Sequence, residues 1–221
     1  MPKPRFIFFD VGNTLLFPNR PRMLAPIPVD RHPTLAAWQA LERRTKQEFD
    51  RGMIQGKVDH GFWWTFHSQL LQNIGLPSNS ILDSLVQNTQ NSANWDQILP
   101  GTREALDRIA QDYSIAVISN ADGRIDGVLR RCGICDCFQT ITDSGRIGHE
   151  KPHAAIFAAA LHDMKADPAE SLYVGDVYSV DYLGATKAGM QAVLFDLAGA
   201  YKDRGLPRVQ SLKELESWLE N

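Results

Sequence analysis

The chain has 221 residues, 43% of them hydrophobic, a net charge of −3 at pH 7 and three cysteines, which suits one large or two small globular units with a real core. The weakly acidic balance argues against nucleic acid as a partner, and no apolar run is long enough to span a membrane. The start "MPKPRFIFFDVGN" meets an acid and a glycine too soon for a secretory leader, and an odd cysteine count fits a reducing cytoplasm better than a disulfide scaffold.

The first expected strand runs from Arg5 to Phe9, apolar without alternation, as in a central parallel strand covered on both faces. A proline-rich stretch, "FPNRPRMLAPIPVDRHP", follows, and then three helical patterns. These are Thr34 to Asp50, with Leu35, Trp38, Leu41 and Phe49 inside, then Phe62 to Ile74 and Asn79 to Thr89. The polar run "NTQNSAN" closes this part. Strands and helices then alternate. The strands are "SIAVIS" (Ser114 to Ser119), a short "CFQTIT" (Cys137 to Thr142), "SLYVGD" (Ser171 to Asp176) and "QAVLFD" (Gln191 to Asp196). The helices are Thr102 to Gln111, Ile125 to Arg131, His153 to Leu161 and Asp181 to Ala188. A last helix, Ser211 to Leu219, carries Glu214 at capping-box spacing from Ser211. The order predicts an α/β fold, a doubly wound, Rossmann-like parallel sheet, as the core domain (residues 1–17 and 97–221). The all-helical insert (18–96) directly follows the first strand and is expected as a cap over the sheet's carboxyl edge, where ligands bind in such sheets.

Chemistry-bearing residues fall at that edge. Asp10 ends the first strand, Ser119 and Asn120 the second, and Asp176 a later one, with Lys151 at the start of a helix between them. An acid, a hydroxyl, a lysine and a second acid suit phosphoryl transfer: a carboxylate attacks phosphorus while hydroxyl, ammonium and metal hold the equatorial oxygens. Two carboxylates with phosphate oxygens suit Mg²⁺, a hard cation that prefers oxygen ligands.

Four motifs, "DVGNT", "ISN", "EKPHAAIF" and "GDVYSVD", occur in this order across nearly the whole chain. With them the sequence resembles the haloacid dehalogenase-like hydrolase superfamily, subclass I, with a helical C1-type cap. The resemblance implies that Asp10 is a nucleophile forming an aspartyl-phosphate, that Ser119 binds a phosphate oxygen, and that Lys151 neutralises both. It implies Mg²⁺ held by Asp10, Asp176 and the main-chain oxygen of Gly12, with Asp181 orienting Lys151 or a metal-bound water. Thr14 supports the nucleophile loop and, with Asn120, counts among the expected substrate contacts. Phosphatases of the family usually carry an Asp two residues after the nucleophile as general acid and base; here that residue is Gly12. A proton donor of that kind contributes about 10²–10⁴-fold.

Arg20 and Arg22 leave the first loop and are candidates for reading an anionic substrate, beside the plainer reading of a solvated linker. "CGICDC", followed by His149 and His153, admits zinc but offers no second clean ligand pair, so reduced, partly buried thiols are expected. Of Trp63 and Trp64, one is expected in the core and the other is free to face the site mouth. His60 and His67 are expected to be structural. The expected activity is a cytoplasmic, Mg²⁺-dependent phosphatase acting on a small phosphorylated metabolite, without the usual general acid. A 2-haloacid dehalogenase-like hydrolase and a catalytically weak binding protein are the rivals. In the dehalogenase reading Asp176 would repel a substrate carboxylate unless a cation were bound. The sequence gives no sign of oligomeric state or substrate identity.

Overall fold

The structure, a computed structural model, describes residues 3–57 and 61–220, so His60 lies outside the described residues. The elements in chain order are β1 (Phe6–Phe9), β2 (Leu16–Phe17), α1 (Arg20–Met23), α2 (Leu35–Ile54), α3 (Phe62–Asn73), α4 (Asn79–Gln90) and β3 (Gln97–Ile98). There follow α5 (Thr102–Asp112), β4 (Ser114–Ser119), α6 (Ile125–Arg131), β5 (Thr140–Asp143), α7 (Ser144–Ile147), α8 (Ala154–Met164) and β6 (Ser171–Gly175). The last four are α9 (Leu183–Lys187), β7 (Gln191–Phe195), β8 (Arg208–Val209) and α10 (Leu212–Glu220).

The main sheet has the order β5-β4-β1-β6-β7-β8, every pair parallel. The chain winds outward from β1 through β4 and β5, then returns to the other side of β1 through β6, β7 and β8. This is the doubly wound order, with its switch point beside β1. Alternate residues feed two cores, as a strand period of two requires. Ile7, Phe9, Ile115, Val117 and Val174 pack with α5, α6 and α10, whereas Phe8, Ala116, Ile118 and Tyr173 meet α8 and α9. That double burial is why these strands read as unbroken apolar runs.

β2 and β3 pair antiparallel as a small ribbon, Leu16 with Ile98 and Phe17 with Gln97, so the chain leaves and re-enters the α/β part at one place. Between them α2 packs on α3 and α3 on α4. The contact is aromatic, with ring centroids 4.7 Å apart for Trp38 and Phe66, 5.6 Å for Phe49 and Phe62, and 5.2 Å for Trp63 and Trp95. Trp64 lies on the exposed side. His67 is fully buried and shares a 2.7 Å hydrogen bond with Thr89; burial pushes its imidazole down to about 3, so it stays neutral. The hydroxyls of Thr34 and Ser78 accept from the amides of Ala37 and Ile81, capping α2 and α4. At α10, Ser211 accepts from Glu214 N, while the Glu214 carboxylate accepts from Gln210 N, one residue earlier than the usual box.

Several boundaries differ from the sequence reading. Leu35, expected inside, is the first residue of its helix and stands 57% exposed. The strand expected from Cys137 begins only at Thr140, since Cys135–Cys137 form a 3-10 turn. The three thiols are free and partly buried; Cys132 and Cys137 lie near Asp96 O and the Asp107 carboxylate. The helix expected from Asp181 begins earlier, with a π-helical turn at Tyr178–Tyr182 running into α9. The β2–β3 ribbon, α1, α7 and β8 carry too few residues to leave a periodic signal.

Candidate active site

The sheet's carboxyl edge gathers the acids. Asp10 directly follows β1, its amide donating to Val174 O (2.8 Å). The loop then turns back sharply: Val11 O accepts from the amides of Thr14, Leu15 and Leu16, and Asn13 takes a left-handed φ of 54°. This fold-back aims the Thr14 hydroxyl at Asp10 Oδ2, 3.4 Å away. Gly12 does not share the left-handed backbone, so its conformation suits any residue. A Cβ there would stand 3.4 Å from the indole ring of Trp95, in van der Waals contact with it. Trp95 is held in turn by its own donation to Thr89 O (2.8 Å).

Lys151 is buried, and its ammonium donates to Asp10 Oδ1 (2.6 Å), Asp181 Oδ1 (2.8 Å) and Tyr173 Oη (2.7 Å). Burial alone would lower its pKa, but the charges of Asp10 and Asp181 outweigh it and hold the ammonium above its ordinary range. Tyr173 also donates to Ile118 O, and burial raises its phenol well above the usual range. Asp181 sits on the π turn, its second oxygen accepting from Val177 N (2.9 Å). It comes so close to β6 that a Cβ on Gly175 would lie 2.5 Å from its carboxyl carbon. The glycine before Asp176 is therefore required by the approach of Asp181.

Asp176 meets a group from the helical insert. Lys46 of α2, 1% exposed, places Nζ 2.8 Å from Asp176 Oδ2 and 2.8 Å from Glu42 Oε1. Burial disfavours the Lys46 charge, but Asp176 and Glu42 more than restore it, and its pKa is raised. For Asp10, burial pushes the carboxyl up to about 6 against the pull of Lys151, with Asp181 adding to the rise. For Asp176, burial pushes it up to about 7 against Lys46, with Asp10 and Asp181 adding to it.

The edge thus brings together Asp10, Thr14, Lys151, Asp176 and Asp181. Ser119 is buried at the end of β4, opposite Asp143. Asn120 accepts from Lys151 N (2.7 Å) and donates to Lys151 O (3.0 Å), so its amide holds the lysine's backbone. Arg20 and Arg22 are not brought in: α1 is capped by Asn19, Arg22 pairs with Asp96, and among the described residues no contact joins either arginine to the acids. Sequence reasoning missed Lys46, Glu42 and Tyr173. Glu42, Lys46 and Asp50 do recur every fourth residue on one stripe of α2, a polar stripe that reads as a solvated face. Tyr173 was hidden in an apolar strand.

Asp10, Asp176 and Asp181 each offer an oxygen within 4.8 Å of the others, all buried. Counting Glu42, four carboxylates face two ammonium groups, a formal excess of two negative charges in a largely buried site. A hard divalent cation fits both that donor set and that charge.

The family profile of the haloacid dehalogenase-like hydrolases matches residues 66–195, more than half of the chain. Haloacid dehalogenase-like hydrolase domain-containing protein 3 of Xenopus laevis is 33% identical over 148 residues, 65% of this chain and 60% of that protein. The pyrimidine 5'-nucleotidase YjjG of Escherichia coli is 26% identical over 225 residues, 97% of each chain. Among solved structures, the HAD hydrolase YfnB from Bacillus subtilis, bound to magnesium, superposes with a TM-score of 0.72 at 19% identity, covering 99% of this chain and 100% of its own. With the doubly wound sheet and the acids on its carboxyl edge, the profile match establishes that the chain belongs to the haloacid dehalogenase-like hydrolase family.

Proposed function

We propose that this protein is a Mg²⁺-dependent phosphatase that acts on a small phosphorylated metabolite through phospho-Asp10. The observation that carries the reading is the Asp10 carboxylate itself. It is buried, with one oxygen fixed by Lys151 and the other 3.4 Å from the Thr14 hydroxyl. In this reading Asp10 Oδ2 attacks phosphorus, the ester P–O bond breaks, and water then cleaves the aspartyl-phosphate to release inorganic phosphate. Lys151 holds a phosphate oxygen and offsets its charge, and Ser119 takes another. Tyr173 and Asp181 keep Lys151 in place. When bound, the cation would be held by Asp10, Asp176 and the Gly12 carbonyl, and would neutralise charge on the phosphate. Residues 18–96 serve as a cap that excludes water, over a core of residues 1–17 and 97–221. Gly12 offers no proton, so esters whose leaving group departs unprotonated are preferred. The named activity of the E. coli relative, a nucleotidase, supports the reaction class.

One observation favours a second reading. Lys46 gives Asp176 the positive partner that a metal-free attack on a 2-haloacid would need beside the substrate carboxylate. One experiment tests both readings: turnover of purified protein on phosphate esters and on 2-haloacids, with Mg²⁺ or with EDTA, alongside Asp10→Asn. The expected result is turnover of aryl and acyl phosphates that EDTA abolishes and Asp10→Asn lowers at least about 10³-fold. Dehalogenation that persists in EDTA would establish the second reading. No turnover of either class would leave a binding protein.

A further inference from the structure

Lys46 is a buried charge at the site that the proposed reaction does not use. It reaches the site from α2, and further contacts dock that helix on the α/β part. Arg43 donates to Ala198 O (3.0 Å), Gln47 donates to Ala200 O (3.0 Å), and Asp50 accepts from Ser179 N (2.9 Å). Two of these contacts fall on the loop after β7 and one on the π turn that carries Asp181. The stripe that anchors the helical insert is therefore the stripe that brings a cation to Asp176.

We infer that Lys46 is a built-in cation of the site and that its hold on Asp176 opposes divalent metal, so metal binding and tight docking of α2 work against each other. This rests on the metal-site reading above. The Lys46 ammonium is 2.8 Å from Asp176 Oδ2 and almost wholly withdrawn from solvent. A second cation on the same carboxylate would meet it at close range, with little water between them to screen the repulsion. The carboxylates are shared, so each cation weakens the other's hold. The effect is reciprocal by linkage: whatever factor Lys46 costs the metal, the metal costs the Lys46 contact. Glu42, the second partner of Lys46, gives the ammonium somewhere to remain when Asp176 is taken.

The test is calorimetric titration with Mg²⁺ alone of the wild type, Lys46→Met and Lys46→Arg. It is paired with hydrogen exchange of residues 42–50 with and without Mg²⁺. Lys46→Met is expected to bind Mg²⁺ about ten- to hundredfold more tightly than the wild type. Lys46→Arg, which keeps the charge, is expected to stay near wild type. In the wild type, Mg²⁺ is expected to speed exchange in residues 42–50; in Lys46→Met it is not. Equal affinities in wild type and Lys46→Met, or wild-type exchange indifferent to Mg²⁺, would overturn the inference and leave the metal site standing. Absence of Mg²⁺ binding in all three proteins would overturn both. Should Lys46→Met fail to fold by circular dichroism, the wild-type exchange comparison decides alone.

Discussion

Lys151 and Lys46 are both sealed from solvent, and each bridges two carboxylates at 2.6–2.8 Å, yet they are mounted differently. Lys151 stands on a loop of the α/β part, its backbone clasped by Asn120 and its ammonium by the hydroxyl of a central strand tyrosine. Lys46 stands on a helix that belongs to the excursion between β2 and β3 and meets the site only because that helix is docked there. The same chemistry is thus fixed once into the sheet edge and once onto a separate layer of structure. The comparison teaches that burial and ion pairing do not by themselves distinguish a group fixed in the sheet edge from one delivered to it. The mounting does.

The sharpest way to break this comparison is to remove each ammonium in turn. Lys151→Ala at saturating Mg²⁺ should lower kcat by about 10²–10³-fold, because the charge next to the proposed nucleophile is lost and nothing replaces it. Lys46→Met at saturating Mg²⁺ should change kcat by less than about tenfold. Steady-state kinetics on an aryl phosphate measures both, and equal losses would mean that the two mountings are catalytically equivalent.

A smaller effect is expected at Gly12, where the excursion reaches the Asp10 loop through Trp95. Backbone conformation does not forbid an acid there, but its Cβ would rest against the indole ring, which restricts the rotamers open to the carboxylate. Gly12→Asp should therefore raise kcat/KM for alkyl phosphates by less than about tenfold. Gly12→Asp with Trp95→Phe should move the gain toward the ~10² that a well-placed proton donor contributes. The measurement is kcat/KM against leaving-group pKa. A flat plot for the wild type would show that some other group already donates the proton.

A last test leaves catalysis aside and reads a pH dependence of stability. Burial raises the Asp176 pKa from 3.8 to about 7, so the native state binds more protons than the unfolded state between those values. Its contribution is present below the unfolded value and is lost as pH rises through the folded one. In EDTA, the stability of Asp176→Asn relative to wild type should improve from about pH 4 to about pH 7, by at most about 1.4 kcal/mol per pH unit. Denaturant titrations across that range read it directly. A difference that is flat with pH would mean that Lys46 alone keeps Asp176 ionised throughout.

Much of the sheet edge was legible in the sequence. Asp10, Lys151, Asp176 and Asp181 each end a strand or begin a helix, and a parallel sheet converges such positions whatever their separation in the chain. The central strands were equally readable, since residues such as Phe8 and Phe9 face opposite cores and leave no polar alternation. What stayed hidden depended on packing between layers. Lys46 and Glu42 have the spacing of an ordinary exposed helical pair, and only the docking of α2 makes them interior. Arg20 and Arg22 misled in the opposite sense: they sit near Asp10 in sequence, but a four-residue helix and the Arg22–Asp96 pair direct them elsewhere. The shortest elements, β2 and β3, depend wholly on tertiary pairing.

That two-strand ribbon has a consequence for how such a chain can diversify. Leu16 faces Ile98 and Phe17 faces Gln97, so residues 18–96 begin and end within a strand spacing of each other. The ends are held together whatever lies between them, and lengthening a closed segment adds only a logarithmic entropic cost, about 0.6 kcal/mol for each doubling. The outer parts of the excursion can therefore lengthen at little cost, while Lys46 on Asp176 and Trp95 beside Gly12 bind its inner face to the sheet edge.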